Sequence, residues 1–589
     1  MGMTMNGLSY WQAESEGIDL LDTTIGDLLD RRADELPTQE AVVYSCYPEF
    51  GEVLNLRWTY QEYRDRANQV AKGLLTLGLK KGDHIAVLAA NLPEWPLLMP
   101  GAAKAGLVLV TVNPVLRAAE IEYILKQGDV LALFFMAKVR DYDHLATILS
   151  LTTPAQQNGE VTSERLPMLR SVSLMGMPPA GLLEQDGWRP ALLREVIAAG
   201  SAVSDEALRE RQTSVRPSNP AILMYTSGTT GFPKGTVLTH HGLVNNAALI
   251  MEWFSPLRAR VGQAIQDTRS CLLVPFFHAA GLVGGILTPL YTGGTVCPLL
   301  AFDALKAMQD ISHERCNTIG AVPTMLIAIL HHPDFASYDL SSLVVVTSGA
   351  APVPVSLMEQ VKEGIGADVA IVFGQTEGTC CLTSTLPDDP FELKAATVGK
   401  PLPHIDLKII DLVTGEIVPV GERGELCYRG FVAMAGYYNM PEQTAETIDA
   451  HGWLHSGDLA TMNAQGYLNI VSRLKDMVIR GGENLFPFEI EQFLIRHPKV
   501  ADVQVLGVPD AFFGEELLAA VIPKAGEQLT EQELRDYCKG QISHQKTPRY
   551  FQFVDSYPLT ASGKVQKFVL RERAIKALGL EEVANVRPA

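Results

Sequence analysis

The chain has 589 residues, of which 47% are hydrophobic, 20% charged and 7% aromatic. That excludes disordered, fibrous and repeat classes, and at roughly 150 residues per domain it requires more than one core. The formal net charge of −19, from 48 Lys and Arg against 67 Asp and Glu, opposes unassisted binding to nucleic acid or anionic lipid.

The first residues, Met1 to Gly17, include Glu14 and Glu16 and lack the basic flank and apolar run of a secretory signal. Gly2 is followed by Asn6 rather than Ser or Thr, so the myristoylation pattern is not met. The expectation is a cytoplasmic enzyme. Eight cysteines, at 46, 271, 297, 316, 380, 381, 427 and 538, lie far apart or directly adjacent, without the two-residue gap of zinc and redox motifs. They read as reduced and mostly structural.

In chain order, His84 to Asn91 reads as a strand, Leu92 to Gly106 as a helical crossover, and Leu107 to Val112 as a second strand. Both strands are wholly apolar, as a parallel sheet covered on two faces requires. Ala221–Tyr225, Cys271–Val274, Leu343–Val346 and Val369–Phe373 repeat the apolar run, each followed by a Gly- or Pro-containing loop. In a doubly wound sheet such loops share one crevice beyond the carboxyl ends of the strands.

Cys271 to Leu300 is long enough to cross a bilayer and has His278 as its only side chain that ordinarily titrates near neutral pH. Pro275, Pro289, Pro298 and five glycines instead favour a strand, loop, apolar helix and strand. Residues 154–190 and 255–270 read as loops or insertions. Gly415 to Gly430 suggests a small antiparallel unit. Residues 486–589 suggest a compact α+β domain with helices at Pro487–His497 and from Glu531, and strands at Val503–Val508 and Leu517–Ile522.

The loop Thr226-Ser227-Gly228-Thr229-Thr230-Gly-Phe-Pro-Lys234-Gly235 sets hydroxyls, close-approach glycines and a cation after a buried strand, the makings of a polyphosphate cradle. It is not a Walker A loop, since no Gly-Lys-Ser/Thr follows at the required distance. The string resembles the signature of the adenylate-forming superfamily, which includes acyl-CoA synthetases, luciferase and peptide-synthetase adenylation domains. Phe373-Gly-Gln-Thr-Glu377, Gly452-Trp-Leu-His-Ser-Gly-Asp458, Arg473-Leu-Lys475-Asp476, Gly481-Gly482-Glu-Asn-Leu-Phe-Pro-Phe-Glu489 and Pro558-Leu-Thr-Ala-Ser-Gly-Lys564 are similar to the family's further motifs, in its order.

The resemblance implies an α/β fold: a large N-terminal domain of doubly wound sheets with a small antiparallel β unit (1–472), a hinge at 473–476 and a small mobile α+β C-terminal domain (477–589). It implies that Thr376 contacts phosphate, that Glu377 holds Mg²⁺ and that Asp458 accepts the ribose hydroxyls. Phe373 would stack on adenine without the hydroxyl of the usual Tyr. Gly349, Ala350, Ala351, Gly374 and Gln375 would flank the base. His278 would orient the acid, and Lys564 would bridge acid and α-phosphate. Rotation about Lys475 would then exchange Lys564 for the Gly481-Gly482 wall of a pantetheine tunnel.

Read without the family, Thr376-Glu377 is a helix cap with an early acid, Ser348–Ala351 a tight turn, Asp458 an exposed turn acid and Lys564 a surface lysine. With it, the expected activity is an ATP-dependent acyl-CoA synthetase for an aliphatic acid, using ATP, Mg²⁺ and coenzyme A. A ligase loading an acyl carrier protein is the alternative, and a non-catalytic nucleotide-binding regulator a further one. The acid's pocket is expected along Phe277–Gly285, Val322–Leu326 and Gly349–Gly374, with Gly281, Gly284 and Gly285 leaving room for a chain.

Overall fold

The computed structural model describes residues 3–4, 7–13, 18–47, 54–155, 157–182, 188–226, 233–260, 262–351, 353–386, 388–480, 483–559 and 565–584. It divides into two compact units. One comprises Gln12–Asp406 with Tyr428–Leu454; the other holds Met3–Trp11, Leu407–Cys427 and the chain from His455.

The first unit is built on two sheets. The eight-stranded sheet runs in the order Ala191–Leu192, Ser171–Met175, Val130–Met136, His84–Leu88, Val108–Val112, Pro220–Thr226, Lys234–Thr239, Gly436–Tyr437. The His84 and Val108 strands are parallel and buried along their whole length, with helix Glu94–Lys104 as the crossover. This is what two uninterrupted apolar runs dictate.

The nine-stranded sheet places the parallel strands Thr295–Pro298, Arg269–Leu272, Thr318–Ala321, Val345–Gly349 and Asp368–Phe373 side by side. Helices Ala304–Glu314, Pro323–Leu330 and Val355–Gly364 contribute buried residues to its core. The first of these is capped by Asp303, whose side chain accepts from Lys306 N, a contact worth about 1 kcal/mol.

The four loops expected to face one crevice follow strands of two different sheets. Pro220–Thr226 belongs to the eight-stranded sheet; the strands before the 275, 348 and 374 loops belong to the nine-stranded one. Nor does a helix follow Thr226 directly. The chain returns antiparallel in Lys234–Thr239 and only then enters helix His240–Arg260.

Two segments expected as loops also carry regular structure. Ser171–Met175 is a buried parallel strand, and residues 255–260 finish the helix from His240, which tolerates Pro256. Ala280–Leu287 winds as a π-helix that continues into Thr288–Thr292, so the apolar 271–300 stretch is the expected strand, loop, helix and strand. Among the described residues no helix is long and apolar enough to cross a membrane.

The second unit holds a six-stranded sheet that includes Leu468–Arg473, paired antiparallel with Leu454–Met462. It also holds a five-stranded sheet centred on the long hairpin Val500–Asp510 and Gly514–Pro523. One face of that hairpin packs with helices Pro487–Leu494 and Glu531–Cys538, and the other with helix Lys567–Leu578. The second of these helices starts with a Thr530/Glu533 capping box, readable in the sequence. The result is the expected α+β arrangement.

Candidate active site

In the first unit, the hairpin that carries the hydroxyl-rich loop holds its two ends in register, Thr226 opposite Lys234. Ser227, Gly228, Thr229 and Thr230 lie outside the described residues. What the structure defines is the frame: the two strands that flank the loop are locked antiparallel by a ladder of backbone hydrogen bonds.

The frame meets the Phe373–Glu377 segment directly. Thr226 Oγ1 donates to Glu377 Oε1 at 3.1 Å, although the two are 151 residues apart. Tyr437 OH donates to the same oxygen at 3.0 Å, and the Lys234 ammonium sits 4.7 Å from the centre of the Tyr437 ring. Met434 N donates to the Glu377 carbonyl at 2.8 Å. Burial pushes the Tyr437 phenol well above its ordinary range, and the neighbouring Glu377 carboxylate adds to the shift, so the ring remains a donor.

Thr376 and Glu377 open a three-residue 3₁₀ turn, Thr376–Gly378, with Gln375 at its N-cap position. The simple-cap reading of these two residues does not hold, because Glu377 is committed to a strand and a loop far away in sequence. Gln375 Nε2 donates to Tyr428 OH at 2.8 Å.

Glycine is required at two points here. A Cβ on Gly374 would lie 1.8 Å from the Cys380 carbonyl oxygen, and one on Gly349 would lie 2.3 Å from that of Val372. Phe373 ends its strand paired with Thr383, half-buried, with Gly349 at the end of the neighbouring strand. Ala350 and Ala351 are exposed, and Ala350 adopts φ +67°, a left-handed conformation that costs an alanine about 1–2 kcal/mol. An ordinary tight turn would favour glycine there.

His278 is half-buried in the turn from Pro275, its ring centre 4.6 Å from that of Phe277 and tilted 45° to it. That turn is hung from Asn91, a buried residue at the end of the first apolar strand. Asn91 Nδ2 donates to the carbonyls of Val274 and Leu299, and its Oδ1 accepts from Phe276 N at 2.7 Å. On the following π-helix the three glycines are not equivalent. A Cβ on Gly281 would collide with the Pro275 carbonyl at 2.0 Å and one on Gly285 with Leu272 at 2.6 Å, whereas one on Gly284 meets nothing within 4 Å. Only Gly284 leaves room; Gly281 and Gly285 are there for close packing.

In the second unit, Asp458 and Arg473 are register partners on adjacent strands and form a 2.9 Å ion pair, with Asp458 only 1% exposed. Asp458 is thus a buried strand residue and not an exposed turn acid. Lys475 lies in the 3₁₀ turn Leu474–Asp476. Gly481, Gly482 and Lys564 lie outside the described residues.

The sequence matches the AMP-binding enzyme family over residues 29–438 and the family's C-terminal domain over 489–564. The chain belongs to the AMP-binding enzyme family. It is 42% identical over 95% of its length to a putative acyl-CoA synthetase, YngI, of Bacillus subtilis, covering 99% of that protein. It is 38% identical over 98% of its length to the mitochondrial medium-chain acyl-CoA ligase ACSF2 of Macaca fascicularis, covering 91% of it. ATP-bound MatB from Rhodopseudomonas palustris is similar in structure, with a TM-score of 0.77 at 26% identity over 95% of this chain and all of that one.

This AMP-binding enzyme is an acid–thiol ligase of the acyl-CoA synthetase type, AMP-forming, using ATP, Mg²⁺ and coenzyme A. The fit of Mg²⁺ rests on Glu377. Its Oε1 is held by two hydroxyl donors, and among the described residues Oε2 takes no hydrogen bond. A carboxylate so oriented has the chemistry of a hard oxygen ligand, and Mg²⁺ held there would supply positive charge against the phosphates.

Tyr437 went unnoticed at the sequence level because sixty residues separate it from Glu377 and no motif spacing links them. Tyr437→Phe removes one of the two donors that aim the carboxylate and keeps the ring beside Lys234. Pyrophosphate release is expected to fall about tenfold, the scale of one lost hydrogen bond to a charged group, with the midpoint of thermal unfolding little changed. Unchanged release at limiting Mg²⁺ would show that Thr226 alone suffices.

Proposed function

We propose that the enzyme activates a medium-chain aliphatic acid as its acyl-adenylate and passes the acyl group to coenzyme A. The observation that carries the chain-length part is the open space at Gly284, on an apolar π-helix beside His278, in a chain whose relatives at 37–38% identity are named medium-chain acyl-CoA ligases. In this reading Lys234, the 227–230 loop and Thr376 meet the phosphates, and Glu377 carries Mg²⁺. Phe373, Gly374, Gln375 and Gly349–Ala351 frame the base, Asp458 and Arg473 hold the ribose, and His278 orients the acid.

The two half-reactions are divided between orientations of a C-terminal domain (477–589) that turns on 473–476 from the body at 1–472. Lys564 serves the first and Gly481-Gly482 the second. A cytoplasmic location belongs to the same proposal, supported by eight cysteines that are all unpaired by disulfides, as a reducing compartment keeps them.

Pyrophosphate release and thioester yield across short, medium and long straight-chain, branched and aryl acids, each with coenzyme A or an acyl carrier protein as acceptor, test the reading. A maximum at medium chain length with coenzyme A is expected. An aryl preference, or turnover with the carrier protein alone, overturns it.

Gly284→Leu should fill the open space. Each buried methylene is worth about 0.8 kcal/mol, so loss of room for two carbons shifts preference by about 1.6 kcal/mol, roughly fifteenfold, toward shorter acids. The ratio of kcat/KM for long and short acids reads it, and an unaltered ratio places the acyl chain elsewhere.

A further inference from the structure

Four of the eight cysteines, scattered over 270 residues of sequence, converge in the core of the nine-stranded sheet. Cys271 and Cys297 are register partners on adjacent parallel strands. Cys316 follows helix Ala304–Glu314, and Cys46 follows strand Glu40–Tyr44. Cys271, Cys297 and Cys316 are wholly buried. The same helix turns Asp310 into the cluster, and one ligand atom each from Cys297, Asp310 and Cys316 lies within 4.8 Å of the other two. The Cys271 thiol adjoins both Cys316 and Asp310.

Two further observations mark the cluster as more than a set of apolar thiols. Asp310 is 2% exposed; its Oδ1 accepts from Ser45 Oγ and Cys46 Sγ at 3.2 and 3.3 Å, but its buried Oδ2 has no hydrogen-bond partner. Among the described residues no ion pair reaches it. A buried carboxylate oxygen without a donor is costly unless it is protonated or meets a cation, and burial pushes the Asp310 carboxyl up to about 6. The guanidinium of Arg269 adjoins Cys297; its two terminal nitrogens are paired with Glu40 and Glu314, and its buried Nε, which lacks a partner, leaves part of its positive charge toward a thiolate there.

We propose that Cys271, Cys297, Cys316 and Asp310 bind one zinc-class divalent cation as a structural site beneath the nine-stranded sheet. Three thiols and a carboxylate match the soft, tetrahedral preference of such an ion. Zinc–sulfur bonds of ~2.3 Å set neighbouring ligand atoms ~3.7 Å apart, so Cys297, Asp310 and Cys316, whose ligand atoms already lie within 4.8 Å of one another, need close in only slightly, and Cys271, on the strand beside Cys297, would complete the set. On binding, each ligating thiol gives its proton to solvent and its sulfur lone pair to the metal; nothing is oxidised. The site stands apart from Glu377, whose ligand atoms are hard oxygens, and it ties two strands to the end of a helix.

The test uses the full-length chain, produced in zinc-supplemented medium and passed over a chelating resin. Mass-spectrometric metal analysis is expected to give about one zinc per chain, and cobalt substitution to give thiolate-to-cobalt charge-transfer absorption. The double variant Cys297→Ser/Cys316→Ser should hold about a tenth of that zinc or less, and Asp310→Asn should lose metal faster to a chelator.

The wild-type measurements stand even if the double variant fails to fold. Wild-type protein without zinc, whose eight thiols all titrate in denaturant with no metal released, overturns the proposal. So does zinc that persists undiminished in a folded double variant, or a disulfide between any two of these cysteines.

Discussion

Lys564→Ala is expected to lower acyl-adenylate formation by a factor of about 10² or more, while conversion of supplied acyl-AMP to thioester stays near the wild-type rate. The asymmetry follows from charge. Joining a carboxylate to the α-phosphate of ATP brings two anions together, and an ammonium group placed between them stabilises the transition state more than the separated reactants. Attack of a thiol on the finished acyl-adenylate has no such pair to bridge. ATP–pyrophosphate exchange reads the first half-reaction, and thioester formation from synthetic acyl-AMP reads the second. Equal loss in both would mean that the lysine supports the fold or the thiol channel and not the bond-forming step.

Glu377→Ala should be about as damaging to adenylation, by roughly 10² to 10³, and should raise the Mg²⁺ concentration needed for half-maximal pyrophosphate release. The carboxylate is held by Thr226 and by Tyr437, so its loss would remove the proposed cation ligand and leave two hydroxyl donors without their acceptor. Glu377→Gln separates these effects, since an amide oxygen still accepts the hydroxyls while the charge is gone. If the glutamine variant releases pyrophosphate within about tenfold of wild type at low Mg²⁺, the charge is not what the site uses. Thermal unfolding of both variants shows whether the fold has changed.

Much of this architecture was legible in the residue pattern for simple reasons. Strands His84–Leu88 and Val108–Val112 are buried on both faces, so they read as unbroken apolar runs; the hairpin Val500–Pro523 and its flanking helices announce themselves by period and cap. The π-helix at Ala280–Leu287 was foreseen as an apolar helix because three prolines and five glycines forbid a single membrane span. Errors fell where partners are distant. Ser171–Met175 is a short strand recruited by its neighbour Val130–Met136, and its own five residues carry too weak a pattern to declare it. Gly281 and Gly285 looked like space because a missing side chain has the same signature whether it admits a ligand or a neighbouring backbone.

The amino-acid order alone determined the enzyme class and most of the succession of strands and helices, because the motifs and apolar runs that carry them are contiguous strings whose chemistry does not depend on what lies across the molecule. Tertiary structure decided what such strings cannot contain. It paired Thr226 and Tyr437 with one carboxylate oxygen, singled out Gly284 among three glycines, buried Asp458 against Arg473, and gathered Cys271, Cys297, Cys316 and Asp310 in one core. The physical reason is sheet formation. Parallel and antiparallel pairing alike bring together segments tens to hundreds of residues apart, and the side chains they make neighbours share no local pattern from which their meeting could be read.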